Sequence, residues 1–179
     1  MKELAVLIHE RNRISMKIAT IIGRPALSGH IGEYIASIIF EIILETNANA
    51  KGIDGVFTKH PLNNKTVNIK LYGKQESILD ISKGNLADYY LVLSGNNGSQ
   101  TSSKGKTRPL IISQVFLFNM KKLMPKLQER GVKIGIATSI RKNDWQEAMI
   151  YPNQNNLELI LNQKRKDLIQ LFENPNNSM

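Results

Sequence analysis

An α/β domain with a central mixed β-sheet flanked by helices is the fold class this sequence predicts. Three observations carry it. Apolar residues recur at helical spacing near both ends of the chain. Alternating or continuous apolar runs, at strand length, fill the middle. Gly-, Asn- and Pro-rich breaks separate them, so helices and strands are mixed along one chain.

The first helix is predicted over residues 3–22, where Leu4, Leu7, Ile8, Ile14, Ile18, Ile21 and Ile22 keep near-helical spacing. Gly23-Arg24-Pro25 ends it. A second helix is expected from Ser28, a capping residue type, to Glu45. Ile31, Tyr34, Ile35, Ile38, Ile39, Phe40, Ile42, Ile43 and Leu44 cover most of its circumference, which predicts burial on more than one side. Residues 47–52 form a polar connection. Two strands follow at 53–58 and 66–72, joined by the turn-rich segment 60–65. In the second, Val67, Ile69 and Leu71 alternate with Asn68, Lys70 and Tyr72, so Asn68 and Lys70 share a face.

Residues 89–94 (YYLVLS) are continuously apolar, as in a buried central strand. Residues 95–107 have loop composition. A strand at 109–118, a helix at 119–130 closed by Gly131, and a strand at 132–138 are expected next. Residues 140–150 read as partly helical around Trp145, more as a packed indole than as a base-stacking one. An amphipathic helix from Leu157 to Phe172 ends the pattern, and residues 174–179 read as a frayed tail. Together these make one domain over 1–179, with a helical part at 1–50, a sheet core at 51–140 and a terminal helix within 155–173.

At 179 residues and 41% hydrophobic content the chain can bury a core. It has no cysteine, which excludes disulfides and thiolate metal sites. Its three histidines, His9, His30 and His60, lack ligand spacing, which argues against zinc. No run of about 18 apolar residues predicts a membrane span, and charges arrive too early for a secretory signal. A soluble, cytoplasmic protein is the expectation. The net charge of +9 favours an anionic partner. No Asp or Glu occurs from Tyr89 to Gln128, while Lys104, Lys106, Arg108, Lys121, Lys122 and Lys126 all lie there.

One constellation carries chemistry. A helical glutamate stands in GEYIA at 32–36, an Asp at a strand start in GIDGVF at 52–57, and a lysine in VNIKLY at 67–72. The helix then places Glu33, Ser37, Phe40 and Leu44 on one partly apolar stripe, so Glu33 does not point freely into solvent. A buried carboxylate needs a metal or a partner, and Arg24, Lys51 or a backbone donor at the helix start would serve as partner. Asp54 also reads as a turn residue before Gly55, and Lys70 as a solvated strand lysine.

In that order, helix and then hairpin, these segments resemble the restriction-endonuclease-like PD-(D/E)XK nuclease superfamily, over about the first half of the chain. The resemblance implies a restriction-endonuclease-like core and Mg²⁺-dependent hydrolysis of DNA, with Mn²⁺ as a substitute. It makes Asp54 the principal metal ligand, Lys70 the catalytic lysine, Glu33 a supporting acid and the Ile69 backbone carbonyl a further ligand. Asn68 falls where the family carries Glu or Asp. A neutral amide is a weaker ligand for a hard cation than a carboxylate, although some branches accept Gln there. A hard cation would orient the phosphate and lower the pKa of a bound water, with Lys70 offsetting phosphate charge.

Lys74, Gln75 and Ser77, just after the lysine strand, and Lys104, Lys106 and Arg108 in the long loop are expected to meet a nucleic-acid backbone. The leading expectation is thus a DNA endonuclease of restriction, repair or defence type. The alternative is a weakened nuclease fold that only binds nucleic acid, and a basic interaction module is the third. A homodimer would suit symmetric cutting of two strands, and the sequence names no interface for it.

Overall fold

A computed structural model describes residues 1–46, 52–82, 84–95 and 109–173. Among these, five helices surround a six-stranded mixed sheet. The strands are β1 (Ile42–Leu44), β2 (Gly55–Phe57), β3 (Thr66–Tyr72), β5 (Tyr89–Ser94), β6 (Gln114–Asn119) and β8 (Met149–Tyr151), in the order β1-β2-β3-β5-β6-β8. Only β3 and β5 run parallel; every other neighbouring pair is antiparallel. A small antiparallel pair, β4 (Ile78–Leu79) with β7 (Thr138–Ser139), stands apart.

The alternation of the strands sorts the core into two layers. Val67, Ile69, Tyr89, Leu91, Leu93, Val115 and Leu117 pack with Ile35, Ala36, Ile39 and Phe40 of α2 (Ser28–Phe40) and Ile169 of α5 (Gln163–Gln170). On the other face, Tyr90, Val92, Phe116 and Phe118 meet Leu123 and Leu127 of α3 (Met120–Glu129) and Trp145 of α4 (Lys142–Ala148). β5 is buried on both faces along its whole length, which is why its sequence is continuously apolar. Trp145 is 3% exposed and sits edge-on to Phe116 and Phe118, at 4.7 and 4.8 Å between ring centroids. It is a packed indole.

Several elements differ from the sequence expectation. α2 stops at Phe40, and Ile42–Leu44 is an edge strand instead of its last turn. Glu41 turns the chain in a left-handed conformation (φ 54°, ψ 55°), and Ile42 then pairs with Phe57. The sheet therefore begins at residue 42, ahead of the expected boundary at 51. The 132–138 segment contributes only the start of the short β7, and the strand expected at 109–118 runs from Gln114. β8 was not expected. The terminal helix starts at Gln163 rather than 157: Leu159 and Leu161 are buried while Leu157 and Ile160 are exposed, an extended pattern, and Asn162 caps the helix by accepting from the N–H of Arg165 at 2.9 Å. α1 (Lys2–Ile22) matches the expected span closely, yet none of its side chains is buried.

Candidate functional site

The site begins as a gap in the sheet. β2 pairs with β3 only at Thr66 and Val67, and β3 continues to Tyr72. Beyond Val67 the β2-facing edge of β3 would present bare backbone. Asp54, the residue before β2, fills that notch. Its N–H donates to the Val67 carbonyl at 2.8 Å, and its carboxylate accepts the N–H of Ile69 at 2.6 Å. Both backbone groups of a strand residue point the same way, so the Ile69 carbonyl faces the notch too.

Burial is the largest influence on Asp54 and raises its pKa above the ordinary carboxylate range. The Ile69 N–H opposes the rise, the Glu33 charge adds to it, and the Lys70 and Arg24 charges oppose it. Glu33, Lys70 and Arg24 therefore all lie within electrostatic reach of Asp54. Glu33 comes from α2, and the residue before it explains how. A Cβ on Gly32 would stand 2.7 Å from the Leu71 Cβ, so glycine lets α2 settle directly onto β3 beside the notch. Glu33 is ion-paired with Arg24 of the Gly23-Arg24-Pro25 turn, with 19% of its own side chain exposed. That is one of the partners the sequence offered.

Asn68 and Lys70 share the other face of β3, as the alternation predicts. Asn68 is 4% exposed. Its Nδ2 donates to the Gly52 carbonyl at 3.2 Å, while its Oδ1 is buried without a hydrogen-bond partner. Gly52 holds φ 91°, and a Cβ there would stand 2.2 Å from the Asn85 carbonyl oxygen; no other residue would fit. Lys70 extends over Tyr90, its Nζ 6.0 Å from the ring centroid. Tyr90 stands opposite Asn68 on β5, and its hydroxyl accepts the N–H of Ser82 at 3.0 Å. Burial raises the Tyr90 pKa most, the Ser82 N–H opposes it, and the Asp54 charge adds to it, so Tyr90 belongs to the same cluster. Sequence reading missed Tyr90, because only the β3–β5 register places it beside Asn68.

The remaining expected residues are dispersed. Lys74 is half-buried, 3.9 Å from Glu76. Gln75 is buried, with 9% exposure, and so does not offer its side chain to a passing backbone. Ser77 is exposed at φ 60°, and its carbonyl accepts from Ile140. Lys104, Lys106 and Arg108 lie outside the described residues. The basic stretch of the sequence is partly matched in space: Lys121 pairs with Asp88, Lys122 with Glu158, and Lys126 with Glu147 and Asp144. Lys122 and Lys126 line a groove of about 420 Å³ beside α3 that contains none of the notch residues.

Among the described residues no three His, Cys, Asp or Glu side chains form a metal-binding group. A cation site in the notch must therefore use the amide oxygen of Asn68 and the Ile69 carbonyl beside Asp54 and Glu33. That set fits a hard divalent cation on two counts: it is all oxygen, and it contains a buried oxygen with no partner. No family model matches the chain, and no curated protein matches it.

Proposed function

We propose that the notch is the active site of a divalent-cation-dependent phosphodiester hydrolase acting on DNA, with Mg²⁺ as the cofactor and Mn²⁺ as a substitute. One observation carries the reading: the buried, unpartnered Oδ1 of Asn68 is on the strand whose Ile69 N–H holds Asp54, a carboxylate that burial raises above its ordinary range. Natural folds rarely leave such groups unsatisfied unless something else occupies the place. Asp54, Asn68, the Ile69 carbonyl and Glu33 are the groups that would hold the cation. When bound, the ion would supply charge neutralisation at a phosphate and a more acidic water. Asp54 would be the main source of negative charge, and Lys70, spread over the Tyr90 ring, would meet the phosphate with a positive one. The net charge of +9 supports a polyanionic substrate.

The test is cleavage of supercoiled plasmid by the purified chain in Mg²⁺ or Mn²⁺. Asp54→Ala and Lys70→Ala should each abolish it. Cutting that survives both substitutions would overturn the assignment.

The second reading, a nuclease fold that only binds nucleic acid, has its own support. Glu33 is already committed to Arg24, and Asn68 lacks a charge. Salt-dependent DNA binding without cleavage in either metal selects it, and activity created by Asn68→Glu would strengthen it.

A further inference from the structure

α1 is an amphipathic helix, and among the described residues nothing lies under most of its apolar stripe. Leu4, Leu7, Arg11, Ile14, Ile18 and Ile21 are spaced alternately three and four residues apart, the seam of a two-helix coiled coil with one polar position. Leu4, Leu7, Ile14 and Ile21 are 51%, 54%, 52% and 68% exposed, and Ile8 beside them 46%. The helix rests on its own fold only towards its end, where Ser15, Ile18, Ala19 and Ile22 are half-buried and α1 meets α2. The seam continues for about 15–20 Å beyond that support, at 1.5 Å per residue. Isolated exposed leucines need no explanation, but a continuous stripe of them marks an interaction surface.

We infer that this stripe is the interface with a second copy of the chain, and that the two α1 helices run antiparallel. The seam, its one polar layer at Arg11 and the flanking Glu10 and Lys17 select the partner and the direction. Glu3 and Glu10, the two acids of α1, lie before its midpoint together with Lys2 and Arg11, and Arg13 and Lys17 lie after it. In a parallel pair the two Arg11 side chains would meet at one seam layer. In an antiparallel pair Leu4 meets Ile21 of the second copy, Leu7 meets Ile18, and Arg11 lays its aliphatic stem on Ile14. Glu10 then flanks Lys17 of the second copy, and two-fold symmetry makes that contact twice. The antiparallel arrangement separates the two Arg11 side chains and gives each Glu10 an opposite charge. The inference is independent of the proposed chemistry, since no notch residue lies on α1.

The experiment is sedimentation equilibrium of the full chain at micromolar concentrations. A dimer is expected, with Leu7→Glu and Ile14→Glu monomeric; both sites are exposed, so circular dichroism should show an unchanged fold. Glu10→Lys or Lys17→Glu alone should weaken the dimer about tenfold, because two flanking pairs turn repulsive. The double variant E10K/K17E should recover to within about threefold of the parent. A chain that stays monomeric overturns the inference, as does one that instead inserts α1 into anionic vesicles. So does a dimer indifferent to Leu7→Glu, and a double variant that does not recover overturns the antiparallel pairing.

Discussion

Replacing Asn68 by Asp changes one atom group at the most constrained point of the notch. The parent side chain donates to the Gly52 carbonyl at 3.2 Å and leaves Oδ1 without a partner. In Asn68→Asp the donor becomes an oxygen facing that carbonyl. Losing the bond and orphaning a buried acceptor costs about 1–3 kcal/mol. The new carboxylate also joins Asp54, whose pKa burial already raises. Two negative charges brought into one site repel on the order of 3 kcal/mol at an effective dielectric of about 20. The metal-free variant should thus lose about 4–6 kcal/mol near neutral pH, or roughly 8–24 °C in melting temperature for a chain of this size. Lowering the pH should return the repulsive part, because protonating either carboxyl removes it.

Adding Mg²⁺ should reverse about half of the loss if the notch is a cation site. The extra charge tightens binding, and saturation at about a hundred times Kd restores about 2.7 kcal/mol. The assay is differential scanning fluorimetry of parent and Asn68→Asp across a Mg²⁺ series, with Mn²⁺ in parallel. A variant as stable as the parent without metal, and as unresponsive to added Mg²⁺, refutes the placement of a cation in the notch.

Three further outcomes follow from the same geometry. Burial raises the Asp54 pKa, so this carboxyl favours the folded state below its ordinary pKa of 3.8, and that contribution is lost as pH rises through the folded value. Asp54→Asn keeps an oxygen acceptor for the Ile69 N–H and should gain about 1 kcal/mol by urea denaturation at neutral pH, with the gain shrinking towards pH 4; a loss of more than about 1 kcal/mol at neutral pH contradicts the burial argument. Gly32→Ala puts a Cβ 2.7 Å from that of Leu71, so it should cost about 1–3 kcal/mol and blunt any Mg²⁺ response by lifting Glu33; an unchanged urea midpoint would show that α2 does not press on β3. Trp145→Ala should cost about 3–5 kcal/mol with little direct effect on DNA affinity, whereas a mild stability change with a large loss of binding would make Trp145 a base-stacking residue.

Much of this was legible locally. The β3 pattern, polar at 68, 70 and 72 and apolar between, fixes the shared face of Asn68 and Lys70 without any tertiary knowledge, because side chains alternate on any strand. The even apolarity of 89–94 similarly announces a strand covered on both sides. The end of α2 was not legible. Ile42, Ile43 and Leu44 continue the apolar count of the helix, and only pairing with β2 offers their backbone a better alternative. The terminal helix was overread for a related reason: Leu157 and Ile160 keep helical spacing but are exposed. The charge reading changed as well. The stretch without acids is basic in sequence, but acids from distant segments reach several of its lysines in space.

The residue types of the notch, and the side of β3 that two of them occupy, needed nothing beyond the order of the amino acids. Their electrostatic coupling to Asp54 did not follow from that order. Glu33, Asp54 and Lys70 come from three separate segments, and the reach of the Glu33 and Lys70 charges to Asp54 depends on where β2 stops pairing with β3 and on how closely Gly32 lets α2 approach. Tyr90 joins them through the register of β5, and Glu33 takes Arg24 through a turn. Side-chain alternation is a property of the backbone and is written locally. Strand register and helix approach are set by packing between segments distant in the chain, and they decide which charges share a space.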